Sequence, residues 1–265
     1  MRSEAFISFV LLLFPPVLLG QKVIYEIRFN GKAIGKDTFT IRKGKQGYEV
    51  STQYGYSIGA SEGRFANDYR VDDTYQWLQA SSTNQNLAVR YVDTLDKTRT
   101  RLSISINQNG AGSNSELPVR PDVELLPNLD PAAAQLLLLR ATTHPTENNK
   151  YNIVAPSFGE PEGMASLNSV RDGTNAAPAT TLQLPSSRQS YDAAWQKGAE
   201  VSGTLDGKPM TAHTYNLVFG SFRWVFVADD GNSLLQMNVL PKQPVFVRQG
   251  FVLDSKDVET LSANP

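Results

Sequence analysis

Cysteine is absent from the 265 residues, which excludes disulfides, thiolate metal sites, a cysteine nucleophile and a lipid-modified cysteine anchor. Histidine occurs only at positions 144 and 213, so a histidine-based metal cluster would need carboxylates to complete it. Charge of one sign is also missing. The 25 basic and 26 acidic residues give a formal net charge of −1, and their interspersion leaves no electrostatic footprint for nucleic acid and no polybasic patch for anionic lipid. No asparagine begins an Asn-x-Ser/Thr sequon, which favours a bacterial envelope over a eukaryotic secretory route. The apolar run from Ala5 to Leu19, broken by Pro15-Pro16, is about 15 residues long, short of the roughly 18–20 that a membrane-spanning helix needs.

That run, with Arg2 before it and Gly20-Gln21 after it, reads as a secretory signal over residues 1–20, cleaved after Gly20. An uncleaved N-terminal anchor is the alternative, because Glu4 weakens the basic start and Leu18 is a poor residue near a cleavage site. The mature chain is then expected to be periplasmic or extracellular and not membrane-spanning. Its length suits one β domain, residues 21–253, followed by a polar tail, 254–265.

Alternation of apolar and polar residues predicts strands throughout. Between Ala199 and Phe251, a two-residue turn at Gly220-Ser221 sets Phe219 opposite Phe222, Leu217 opposite Trp224 and Tyr215 opposite Phe226. A second turn at Asp230-Gly231 sets Phe226 opposite Leu235 and Trp224 opposite Met237. The other face of these strands, with Thr214, Asn216, Arg223, Gln236 and Asn238, is expected to be wet. In the N-terminal half, a three-residue loop at Gly31-Lys32-Ala33 pairs Tyr25 with Phe39 and Val23 with Ile41; a two-residue Asn30-Gly31 turn would throw Phe39 onto the wrong face. Tyr48, Val50, Thr52, Tyr54 and Tyr56 form the inward set of the next strand. Further strands are expected around Thr74–Ala80, Asn86–Asp93 and Thr98–Asn107, and loops over 108–121, 159–163, 172–178 and 185–198.

One helix interrupts this pattern. Asp130 is its N-cap and Pro131 its first residue, and it runs to about Thr142, before His144-Pro145. Leu136 to Leu139 cover every side of its axis, so it is a helix meant to be buried. The expected fold is mainly β, a curved antiparallel meander forming a half-barrel or open barrel around this helix.

The candidate sites each have a plain structural reading. Gly55-Tyr56-Ser57-Ile58-Gly59 and Gly59-Ala60-Ser61-Glu62-Gly63 both match a nucleophile elbow, but no helical stripe follows, and glycines that bend a strand explain them as well. His213, facing Ala228, has no carboxylate visibly placed to orient it; His144 suits a helix-end turn. Asp72-Asp73 and Asp229-Asp230 fall in turns, where aspartate bonds nearby backbone amides. No catalytic residue, metal ligand or cofactor is assigned. The remaining candidates are aromatic: Tyr54, Tyr56, Trp77, Tyr215, Trp224 and Phe226, which either fill the core or line a groove for an apolar ligand.

The strand openings Val23-Ile24-Tyr25-Glu26-Ile27 and Gly31-Lys32-Ala33-Ile34-Gly35, the strand Tyr48-Glu49-Val50, the mid-chain leucine helix and the closing Leu205-Asp206-Gly207-Lys208 and Val247-Arg248-Gln249-Gly250-Phe251 together resemble an exported bacterial family of uncharacterised function. That family is held to share a curved half-barrel with the lipoprotein carriers LolA and LolB. The resemblance implies a concave sheet around a helix and no catalytic residues; in the carriers, acyl chains occupy the concavity. The expected role is non-catalytic binding or carriage of lipophilic or envelope material, with a structural or protein-docking scaffold as the alternative and a serine hydrolase using Ser57 or Ser61 as a third reading.

Overall fold

The computed structural model describes residues 19–59, 61–127, 130–156, 188–220, 222–240 and 244–262. Most of the expected leader and the expected loops at 159–163 and 172–178 lie outside them. The strands are β1 (Lys22–Phe29), β2 (Lys32–Gly44), β3 (Gly47–Ile58), β4 (Ser61–Val71), β5 (Trp77–Asn84), β6 (Val89–Leu95), β7 (Arg101–Gln108), β8 (Ala111–Pro118), β9 (Val123–Leu125), β10 (Lys150–Pro156), β11 (Arg188–Leu205), β12 (Lys208–Phe219), β13 (Phe222–Ala228), β14 (Leu234–Leu240), β15 (Val245–Arg248) and β16 (Phe251–Leu253). The helices are α1 (Pro131–Thr143), between β9 and β10, and α2 (Ser255–Ser262), after β16.

All sixteen strands belong to one sheet, ordered β8-β7-β6-β5-β4-β3-β2-β1-β15-β14-β13-β12-β11-β10-β9, with β16 on β11. The β9–β10 pair is parallel and the other pairs are antiparallel. Among the described residues no helix is long and apolar enough to cross a membrane.

The Gly220-Ser221 register holds: Phe219, Leu217 and Tyr215 face Phe222, Trp224 and Phe226. The two other hairpins differ from the sequence reading. Phe29 pairs with Lys32, and Asn30 and Gly31 take the left-handed conformation, φ 50° and 75°, of a two-residue turn. A bulge between Ile27 and Arg28 then absorbs one residue, so Val23 meets Phe39 and Tyr25 meets Asp37. The bulge restores Phe39 to the inner face, which a two-residue turn alone would forbid. At the other hairpin, β13 ends at Ala228 and β14 begins at Leu234. Asp229 closes this longer loop by accepting the Ser233 amide at 2.7 Å, and Phe226 faces Met237 and Trp224 faces Val239.

Two segments expected to be loops are strands. β11 runs through 188–198, where Trp195 faces Leu217, and β8 is an exposed edge strand over 111–118. The polar tail carries α2, whose Leu261 is buried. It packs with Val201, Ala212, Val225, Val227, Leu235, Val247 and Phe251 in a second apolar cluster, so the outer face expected to be wet is partly dry. Two exposed apolar residues, Val252 and Val258, remain beside it.

The main cluster contains residues of the strands and of α1, whose Ala132 to Leu139 and Ala141 have little exposed surface. Gln135 fastens it to the β13–β14 loop, donating to the Asn232 carbonyl at 2.8 Å and accepting from the Leu234 amide at 2.8 Å.

The two arms of the sheet meet through side chains. β6 and β11 are ten strand steps apart, roughly 48 Å along a flat sheet at about 4.8 Å per step. Yet Arg188 Nε lies 2.8 Å from Asp93 Oδ2, with both side chains at most 5% exposed. Arg99 adds bonds to the Trp77 carbonyl at 2.7 Å and the Val123 carbonyl at 3.2 Å. Breaking a buried pair from one side strands the other charge. Arg188→Met is therefore expected to destabilise the chain by about 3–5 kcal/mol, and Asp93→Leu/Arg188→Met by much less. Urea unfolding of both variants checks this; equal losses would mean that the pair contributes through packing alone.

Candidate functional site

The inner face of β2 to β6 carries a polar seam that the aromatic pattern conceals. Asp37, Thr52, Asn67, Ser82, Asn84 and Asp93 alternate with apolar residues on these strands, and all are buried. Strand geometry puts them there: side chains two apart share a face, so Asp37 follows Phe39 inward and Asn67 sits between Phe65 and Tyr69.

Asp130 is the centre of this seam. As N-cap of α1 it accepts the Ala133 amide at 2.8 Å. From β4, Asn67 Nδ2 donates to it at 2.8 Å and the Tyr69 hydroxyl donates to the same oxygen. The helix end is thereby tied to the sheet by one carboxylate. Burial pushes its pKa up to about 6 against the pull of these hydrogen bonds.

Asp37, opposite Tyr25 on one side and Tyr54 on the other, is the second buried carboxyl. Thr52 Oγ1 donates to its Oδ1 at 2.7 Å, and its Oδ2 has no hydrogen-bond partner. Burial, with the nearby Asp130 charge adding to it, raises its pKa well above the ordinary carboxyl range. The pair thus keeps hold of its protons to higher pH than solvated carboxyls do.

Tyr54 and Tyr56 border this pair. Their rings stack on Phe65, with centroids 4.6 Å and 6.3 Å away. Tyr56 lies flat over Gly63, directly across the ladder, where a Cβ would come within 2.5 Å of the ring. Glycine at 63 is what lets the ring lie down. Both tyrosines are half-buried, whereas Trp77, Trp224 and Phe226 have no exposed surface and Tyr215 has 7%. Of the six aromatics expected to face a ligand, only Tyr54 and Tyr56 present appreciable surface, and the other four are core around α1. A cleft of about 660 Å³ opens at the far end of β3, lined by Lys43, Lys45, Tyr48, Glu49 and Arg70, and contains none of the six.

The other candidates resolve locally. Ser57 and Ser61 lie on the two strands of the β3–β4 hairpin, where Ile58 pairs with Ser61, so no helix follows the glycines. Among the described residues no hydrogen bond joins Ser57 to His144 or His213, whose rings contact Thr143 and Asp230. Asp72 Oδ1 accepts from the Thr74 amide and hydroxyl and the Gln76 amide at 2.7–3.0 Å, a turn function. His213 does have a carboxylate: Asp230 Oδ1 lies 3.1 Å from its Nε2, because the long β13–β14 loop brings Asp230 back over β12. His144 closes α1, its amide donating to the Arg140 carbonyl, and its ring contacts Thr143. No group of three or more metal-ligating side chains occurs among the described residues.

No family model, curated protein or solved structure matches this chain.

Asp37 and Asp130 titrate higher folded than unfolded, so the folded chain holds more protons between the ordinary value of 3.8 and about 6 for Asp130. Stability is full below the unfolded pKa and falls as pH rises through the folded values. Glu124, raised to about 8 by burial, extends the fall. Asp37→Asn is expected to match the native chain near pH 4 and to exceed it by about 1–3 kcal/mol at pH 8. Thermal melts across that range read the difference; a gain that is constant with pH would show that Asp37 is not the titrating group.

Proposed function

We propose that this protein is a non-catalytic binding protein of the bacterial envelope whose sheet curves around α1 as a half-barrel and receives lipophilic material at the rim formed by Tyr54, Tyr56 and Phe65. The observation that carries the reading is the contrast within the inner aromatic set: Trp77, Trp224 and Phe226 are sealed while Tyr54 and Tyr56 stay half-buried. Ile34, Ile106 and Leu117 are other partly buried apolar residues packed against the same core. An apolar border around a dry interior suits acyl chains better than polar ligands. The meeting of the two arms at Asp93 and Arg188 supports the curvature, and the likeness to the lipoprotein carriers points the same way. Export rests on the leader-like residues 1–20.

A scaffold or docking role is the second reading. The filled interior favours it, since α1 and the sealed aromatics occupy the space that an acyl chain would take.

Native mass spectrometry of the full chain purified from the periplasm, followed by organic extraction, separates the two. A co-purifying acyl species, reduced at least fivefold in a folded Tyr56→Asp variant, supports the binder. A clean apo mass, with no rise in melting temperature across a lipid panel, leaves the scaffold.

A further inference from the structure

Among the described residues four carboxyl side chains are buried, Asp37, Asp93, Glu124 and Asp130, and they fall into two kinds. Asp93 is paired with Arg188 and Glu124 with Arg140. Asp37 and Asp130 have no cation within 4 Å among the described residues. An isolated buried carboxylate is strongly disfavoured, and such charges are normally paired or bound to a cation. Asp37 Oδ2 lacks even a hydrogen-bond donor, although the side chain is 0% exposed.

Aromatic residues flank this unpaired group on both neighbouring strands. Tyr25, its neighbour on β1, stacks on Phe39 at 5.8 Å. Tyr54, its neighbour on β3, stacks on Phe65 at 4.6 Å, and Tyr56 shares that phenylalanine. Rings around an uncompensated carboxylate are the arrangement that holds amines and quaternary ammonium groups, by charge and by the negative ring faces.

We propose that Asp37, with Asp130 behind it and Tyr54 and Tyr56 as its aromatic walls, is the site for an organic cation, the amine or quaternary ammonium head of the lipophilic ligand. The head-group assignment rests on the preceding reading of the rim as a ligand site. Tyr54 is the side chain that moves: it is the cross-strand neighbour of Asp37 and keeps exposed surface, so its rotation admits the head while the chain stays among Tyr56, Phe65 and Ile34. A purely hydrocarbon ligand would leave Asp37 Oδ2 unpaired, whereas a cation satisfies it.

The groups facing the site are Asp37 from β2, Asp130 from the start of α1, Tyr25 from β1, Tyr54 and Tyr56 from β3 and Tyr69 from β4; Arg248 and Asp229 act on Tyr25 from outside. Because burial raises the affinity of the carboxyl pair for protons, a cation competes with protonation, and affinity rises with pH.

Isothermal titration of the full chain with dodecyltrimethylammonium, dodecanol and tetramethylammonium, each below any micellar concentration, tests this. The proposal expects dodecyltrimethylammonium to bind at least about tenfold more tightly than dodecanol, a difference of about 1.4 kcal/mol. Comparison of buffers with different ionisation enthalpies should show net proton release on binding, larger at lower pH. Asp37→Asn should erase the preference while dodecanol binding persists, and Tyr54→Leu should weaken the cation about fivefold without moving dodecanol. Equal affinities for the two dodecyl probes, unmoved by either variant, overturn the cation site and leave the lipophilic reading standing. Binding of tetramethylammonium with no gain from the dodecyl chain keeps the cation site and overturns the lipophilic reading. No binding of any probe overturns both.

Discussion

The hydrogen bonds converging on Asp130 are the constraint from which the interior is organised. Its side chain satisfies an amide that the first turn of α1 leaves without an intrahelical partner, and it accepts from Asn67 and Tyr69 on the sheet. A helix that is apolar on every side has no preferred rotation against an apolar wall. Polar anchors provide one: Asp130 fixes the N-terminal end, Gln135 the middle through the β13–β14 loop, and Arg140 the last turn through Glu124. Leucine burial supplies the bulk of the stabilisation, about 1.5–3 kcal/mol per side chain, and these polar contacts set orientation.

That anchoring brings a tension with it. Bringing Asp130 into the core places it near Asp37, so the fold holds two carboxyls where dielectric screening is weak. The chain neutralises Asp93 and Glu124 with arginines from across the structure, yet supplies none here. A purely structural seam would be better served by asparagine or threonine at 37, each able to bond Thr52 without a charge. Asp93 Oδ1 and Glu124 Oε2 also lack hydrogen-bond partners, but each of those carboxyls has an arginine on its other oxygen, and Asp37 has none.

The sequence conveyed the elements whose signals are local. Asp130-Pro131 marked the start of α1 to the residue, and Gly220 placed its hairpin in register. Where a distant feature decides, the pattern failed. The Asn30-Gly31 turn was legible, but the bulge after Ile27 that makes it compatible with an inward Phe39 was not, since nothing at Ala33–Gly35 announces an extra residue. Asp230-Gly231 carries a strong hairpin signal, yet Asp229 bonding the Ser233 amide made a longer loop. The stretch 188–198 and the strand Ala111–Pro118 were masked by glycine, serine and asparagine, residues tolerated in strands when neighbours supply the ladder. Val258 and Leu261 are too few to mark a helix, and α2 forms because the outer face of β12 to β15 offers valines for it to cover.

The candidate site was half legible for the same reason. Strand alternation put Tyr54, Tyr56 and Thr52 on the inner face, and aromatic content singled out the tyrosines. Alternation also implied that Asp37 shares the face of Phe39, and Asn67 that of Tyr69; what it could not show is that the N-cap of α1 lands beside them, which depends on how the helix packs. Shift β2 by one residue and Asp37 points to solvent, Lys36 and Thr38 point in, and the buried pair vanishes. A single extra residue in β2 thus lets a two-residue turn coexist with an inward Phe39 and Asp37, and a three-residue loop reaches the same parity by another route.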